Sequence, residues 1–286
     1  MLSTDFSMQF FPAAQDLQPF VKDFIAVSDR RPIGIAGERF LPDGNFMLVI
    51  NLENGYLTKN AEHSSSIQEV AKGYLHTHQQ RAYYLHRNGD YRGIVVHFTP
   101  EGMYHLLHSS LSELPLNAVF EVETLFGKWS KNLVEQLLEY ASPAQQVAYL
   151  EQIFRKKLSI TGLNDKTIPN LIQWINKLHG NISVEEIAQK AHTSRKTLER
   201  HFQQRVGLNP KQYLRTIRLR RAYTQLCMGQ PNDIMDLVLD NGFYDQTHLI
   251  KEFKRFIGLT PTGLLKSPDF STQSYHTLYR SLESKF

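Results

Sequence analysis

The sequence predicts an α+β chain of two domains. The first is β-rich and barrel-like and is closed by a helical pair; the second is all-α. Three observations predict this. The chain has 286 residues, and at roughly 100–200 residues per domain that length suggests two. Short β-branched and aromatic runs fill the first part, and apolar residues at three- and four-residue spacing take over after it. Charge divides the same way. Residues 1–160 hold 14 Lys and Arg against 17 Asp and Glu, and residues 161–286 hold 18 against 11, so −3 and +7 make the formal net charge of +4. A basic half joined to an acidic half points toward nucleic acid, although a merely solvated surface gives the same surplus.

Composition narrows the class. A hydrophobic content of 41% supports ordinary globular cores. One cysteine, Cys227, excludes an intramolecular disulfide framework and a multi-cysteine zinc site, and it fits a reducing compartment. The opening MLSTDFSMQFFPAAQ lacks the charged start and long apolar centre of a signal peptide. No apolar run approaches the ~20 residues of a membrane helix. The expectation is a soluble, cytoplasmic protein with no membrane partner.

In the first domain, FMLVINL (Phe46–Leu52) and RGIVVHF (Arg92–Phe98) are short apolar runs. Pro42-Asp43-Gly44 and Asn88-Gly89-Asp90 are turn signals ahead of them. RAYYLHRNGDYRGIVVHF is expected to be a hairpin turning at Asn88-Gly89. Several strands punctuated this way suggest a barrel or sandwich. From about Lys128 the period turns helical: Leu133, Leu137 and Leu138, then Val147, Leu150, Ile153 and Phe154 after Ser142-Pro143. These are the closing pair. LSITGLNDK is polar with a glycine, which sets a first domain at 1–157 and a linker at 158–167.

The second domain, 168–267, reads as helices throughout. The first helix carries Leu171, Ile172, Ile175 and Leu178. Ser183 and Glu186 form a capping box, in which hydroxyl and carboxylate satisfy free amides at a helix start. Ser194 caps the next helix, which turns Leu198, Phe202 and Val206 inward and ends at Gly207. Asn209-Pro210 starts a longer helix, with proline at its tolerated first position, and this helix stops at Gly229. Asp233 caps Ile234–Asp240. Asn241-Gly242 turns the chain and Asp245 caps a last helix with Leu249, Phe253 and Phe256 inward. A polar tail with scattered tyrosines spans 268–286.

One pattern occurs twice. A capped short helix, a turn of three or four residues and a capped second helix carry Leu198 with Phe202, then Leu249 with Phe253. Each copy is a helix-turn-helix, whose second helix can lie in the DNA major groove. The stretches ISVEEIAQKAHTSRKTLERHF, GLNPKQYLRTIRLRRA and DNGFYDQTHLIKEFKRFIGLTP resemble the DNA-binding domain of the AraC family of transcription regulators. The resemblance covers about a third of the chain. Gly-Phe-x-Asp-Gln-x-His followed by Phe-Lys-Arg-Phe-x-Gly-x-Thr-Pro is its most specific part. His192 stands where the family often has glycine, and histidine is among the residues that tolerate positive φ.

The resemblance implies double-stranded DNA as partner and two recognition helices. Base-reading positions are Arg195, Lys196, Glu199 and Arg200 in the first copy, and Gln246, Thr247, His248 and Lys251 in the second. The chemistry suits them: Arg and Lys donate to guanine, Gln pairs with adenine and Glu accepts from cytosine. Lys211, Arg215, Arg218, Arg220, Arg221, Lys254 and Arg255 are candidates for phosphates. Blander roles stand beside these. Glu199 can pair with a neighbouring cation, His248 can help cap its helix, and a charge on the long helix can simply be solvated.

The first half resembles the β-rich effector or dimerisation domain found ahead of many AraC-type readers. FLPDG…LVINL (Phe40–Leu52), the aromatic-x-Pro-x-Gly stretch Phe98–Gly102 and LPLNAVFEVETLFG carry that resemblance. It implies effector sensing or dimerisation as the role of this domain, and the partners expected beside DNA are a small-molecule effector, a second copy in a homodimer and RNA polymerase. His76-Thr77-His78, with His86 and His97 on neighbouring strands, raises the alternative of a cupin-type metalloenzyme domain fused to a DNA reader. No carboxylate follows at short distance, since Gln79, Gln80 and Arg81 stand there, and no metal or cofactor is assigned. A DNA-repair alkyl acceptor would need a reactive cysteine in a cleft. Cys227 lies in the long helix, where it suits a small buried side chain. The expected function is sequence-specific DNA binding without catalysis.

Overall fold

A computed structural model describes residues 5–31, 38–42, 44–54, 56–60, 68–69, 72–87, 89–158, 166–229 and 233–267. The tail and most of the expected linker lie outside these residues. The strands are β1 (Phe6–Pro12), β2 (Val21–Asp29), β3 (Glu38–Phe40), β4 (Phe46–Glu53), β5 (Tyr56–Asn60), β6 (Gln68–Glu69), β7 (Gly73–His76), β8 (Tyr83–Arg87), β9 (Tyr91–Phe98) and β10 (Val119–Glu121). Among them run α1 (Pro100–Leu107) and, after them, α2 (Val122–Phe126), α3 (Leu133–Leu138) and α4 (Pro143–Lys157). The second domain holds α5 (Thr167–Lys177), α6 (Val184–Lys190), α7 (Arg195–Val206), α8 (Pro210–Cys227), α9 (Ile234–Asp240), α10 (Gln246–Ile257) and α11 (Pro261–Leu265).

The strands form two antiparallel sheets, a six-stranded one in the order β1-β2-β9-β4-β7-β10 and a four-stranded one in the order β3-β8-β5-β6. The expected hairpin at Asn88-Gly89 is not formed. β8 pairs with β3 and β5, β9 pairs with β2 and β4, and the turn carries the chain from one sheet to the other. Asn88 itself lies outside the described residues. Turn chemistry marks where a chain reverses and is silent on which strands then pair.

FMLVINL is a continuous apolar run because β4 is central and covered on both faces. Phe46, Leu48 and Ile50 join a core with Phe24, Ile94, Val96, Leu137, Leu150 and Phe154, where α3 and α4 close the sheet. Met47 and Val49 point the other way and pack with Tyr74, Tyr91 and, from the four-stranded sheet, Tyr83. Three helices are not among those expected: α1, the short α2 ahead of Lys128, and α11 after α10. In the Phe98–Gly102 stretch, Thr99 caps α1 by accepting the Gly102 amide at 2.9 Å, with Pro100 at the first helical position. Gly102 lies against the Phe20 carbonyl so closely that no Cβ fits.

Leu158, placed in the expected linker, is buried in the first-domain core. The second domain has two cores with α8 common to both. Leu198, Phe202 and Val206 pack with Tyr213, Leu214 and Ile217. Leu249, Phe253 and Phe256 pack with Leu219, Ala222 and Leu226. Leu41 and Ala82 of the first domain join this second core.

Candidate nucleic-acid interface

Both helix pairs are built by the same local device. Ser183 accepts the Glu186 amide at 3.1 Å while Glu186 returns a carboxylate to the Ser183 amide at 2.9 Å. Ser194 accepts from Thr197 at 3.2 Å, and Asp245 accepts from His248 at 2.6 Å. Asp233 and Asp236 cap α9 reciprocally. Asn209 and Gln212 form a further capping box that starts α8; its signal was the glutamine three residues after the cap. His192 adopts a φ of 49° and Gly242 of 62°, so each turn bends through the left-handed region. The second turn is longer by Tyr244, which is 91% exposed and precedes the α10 cap.

With these ends fixed, α7 and α10 bury one face and expose the other. Lys196 and Arg200 on α7 are exposed, and so are Gln246, Thr247 and Lys251 on α10. Among the described residues, none of these five side chains has an intramolecular partner, so their hydrogen-bonding groups are left for solvent or a ligand. The other three candidates are engaged locally. Arg195 donates to Glu185 at 2.7 Å and to Glu199 at 3.0 Å, which occupies Glu199 as well. These two carboxylates hold the Arg195 guanidinium above its ordinary pKa. The His248 ring accepts the Tyr244 amide at 3.4 Å and meets Phe243 edge-on.

The phosphate candidates divide too. Lys211, Lys254 and Arg255 are exposed. Arg215 is paired with Glu252, Arg218 donates to the Gly242 carbonyl at 3.2 Å, and Arg221 donates to the Asp240 carbonyl at 3.0 Å. Arg220 is half-buried and makes its own intramolecular interaction. Burial holds the Arg218 guanidinium below the usual arginine pKa.

The carboxy-terminal ends of both helices rest on the first domain. Arg205 of α7 pairs with Glu101 of α1, and the His78 Nε2 lies 2.5 Å from the Val206 carbonyl. The Ala82 amide donates to the Phe256 carbonyl of α10 at 2.7 Å. One segment, Thr77–Ala82, thus touches both helices, leaving their amino-terminal ends free of it.

His76 and His78 are engaged apart rather than around a common point. His76 stacks on Tyr83 with ring centroids 4.9 Å apart, and burial pushes its pKa down to about 3. His78 lies on Phe46 at 4.2 Å. The His97 Nδ1 pairs with Asp23 at 2.6 Å, and of His86 only the backbone is described. Among the described residues no group of three or more His, Cys, Asp or Glu could hold a metal ion, and no helix is long and apolar enough to cross a membrane.

Two capped helix pairs hung on one shared helix define a double helix-turn-helix protein. Residues 187–267 match the family model of a helix-turn-helix domain, and residues 9–119 match that of a domain of unknown function, DUF6597. Over 117 residues the chain is 34% identical to the HTH-type transcriptional regulator MtrA of Neisseria gonorrhoeae, covering 40% of this chain and 38% of that protein. Over 169 residues it is 26% identical to the HTH-type transcriptional activator RhaS of Enterobacter sp., covering 58% and 60%. The chain thus spans less than two thirds of these relatives. A solved structure of ToxT from Vibrio cholerae aligns over 92% of this chain and 98% of its own, with 14% identity and a TM-score of 0.46. Its helix-turn-helix part is thus similar to proteins named as HTH-type transcriptional regulators.

Proposed function

We propose that this chain is a sequence-specific DNA-binding transcription regulator, acting by binding rather than catalysis. The observation that carries the reading is the pair of helices α7 and α10, on which Lys196, Arg200, Gln246, Thr247 and Lys251 are exposed with no intramolecular partner among the described residues. MtrA and RhaS, named as transcriptional regulator and activator, support it. α8 has 18 residues, which at ~1.5 Å each span roughly 27 Å. Successive major grooves on one face of DNA lie ~34 Å apart, so α7 and α10 suit neighbouring grooves. Arg200 and Lys196 would read one groove, and Gln246, Thr247 and Lys251 the next. Lys211, Lys254 and Arg255 would meet phosphates, with helix-terminal amides helping. Residues 1–157 would serve effector sensing or dimerisation, in a cytoplasmic setting with RNA polymerase as a further partner.

Selection from a random DNA pool tests this. The expected product is one preferred site with two patches about a helical turn apart. Arg200→Ala should relax base choice in one patch and Gln246→Ala in the other, each by ~1–3 kcal/mol. A uniform loss across all sequences would remove the base-reading assignment.

A further inference from the structure

The arginines of α8 have a place of their own. Arg215, Arg218, Arg221 and Gln225 recur at steps of three, three and four, so they form one stripe along the helix. Every member of the stripe is tied to the second helix-turn-helix. Arg215 pairs with Glu252 of α10. Arg218 and Arg221 donate to the carbonyls of Gly242 and Asp240. Gln225 donates to the Asp240 carboxylate at 3.1 Å and accepts from Asn241 at 2.6 Å.

These bonds meet a local need. The last carbonyls of a helix have no partner within it and carry the negative end of its dipole. α9 has no basic residue in its own last turn. Its Leu237 carbonyl is taken by the Asn241 side chain at 2.9 Å and its Val238 carbonyl by the Phe243 amide at 3.0 Å. The carbonyls of Asp240 and Gly242 are met from α8 instead. A third element closes on the same point. A Cβ on Gly242 would collide with the Asn181 amide, and Gly180 packs against the Leu214 carbonyl and the Arg218 stem. The loop ahead of α6, the middle of α8 and the turn of the second motif therefore meet around Arg218.

We propose that Arg218 and Arg221 are positioning residues, which fix the second recognition helix relative to the first and so set the separation of base patches the protein accepts. The proposal rests on the DNA-binding reading for its consequence, and on the packing for the brace itself. Two measurements keep these apart. In a Cys227→Ser background, spin labels at exposed Gln203 of α7 and Leu239 of α9 report the distance between the motifs. The parent protein should give a narrow distribution, and Arg218→Met and Arg221→Met a broadened one; unchanged distributions would overturn the brace. Arg218→Lys keeps the charge and a shorter donor, and it should fall between the two.

Affinity for the selected site is then measured against salt, with one base pair inserted or removed between patches. The two Met variants should keep the parent salt slope and lose discrimination against altered spacing. If they instead contacted phosphates, each would lower the slope by about 0.9 and leave the spacing preference intact. That result would overturn the proposal. A parent protein with no preferred sequence would overturn the DNA reading alone, and the spin-label distances would still decide the brace.

Discussion

Arg205→Met isolates the contact between the two domains. Glu101 is 2% exposed, and its Oε1 takes both the Arg205 guanidinium and, at 3.2 Å, the His105 ring. Removing one partner of a buried pair costs about 3–5 kcal/mol, because the other charge stays buried without it. Loss of the guanidinium over the Tyr104 ring, 5.5 Å from its centroid, adds about 0.5–1 kcal/mol. Glu101→Gln with Arg205→Met removes both charges at nearly constant shape. The double variant should therefore be more stable than Arg205→Met alone, by at least about 1.5 kcal/mol. Urea unfolding reads this, since Trp129 lies in the first domain and Trp174 in the second. Fluorescence of Trp129→Phe and Trp174→Phe forms follows one domain at a time. The parent should unfold with coincident transitions, and Arg205→Met should separate them. Additive effects, with transitions that stay together, would refute a buried interdomain ion pair.

Two more perturbations follow. Burial holds the His76 pKa at about 3 when folded, against about 6.5 unfolded. The unfolded chain then binds the extra proton between these values, so stability falls as pH drops through that window. The contribution amounts to about 2 kcal/mol between pH 7 and pH 5. His76→Phe should lose less stability than the parent over that range by this amount; identical losses in denaturant titrations would contradict it. Asp245→Ala removes the cap on the His248 amide and should cost about 1 kcal/mol. It should weaken footprint protection in the patch read by α10, whereas Asp245→Ser should restore both. A footprint weakened equally in both patches would argue against a local effect.

The second domain was legible because its signals are local. Ser183 with Glu186, Ser194, Asp233 and Asp245 each declare a helix start within four residues, and Leu198 with Phe202 or Leu249 with Phe253 declare the buried face. Thr99-Pro100 was as local a signal, but apolar strand-like runs around it masked the start of α1. What sequence spacing does not carry is pairing at a distance. Nothing near Arg205 announces Glu101, 104 residues earlier in the chain. β8 and β9 look like a hairpin because the turn between them is the same whichever sheet each strand enters. The basic character of α8 was plain, yet the acceptors of Arg218 and Arg221 are backbone carbonyls, which every sequence possesses. A partial clue was present: the arginines recur beside the apolar stripe Leu219, Ala222 and Leu226, on the side of α8 that faces α9.

The most direct test of the central claim compares Arg200→Ala and Gln246→Ala with the parent protein on its selected site, substituting each base pair in turn. Two recognition helices predict that each variant loses discrimination in a different patch, the patches lying about one helical turn apart, while the rest of the site keeps its preferences. Equal weakening on every sequence, or loss in the same patch for both variants, would contradict the account.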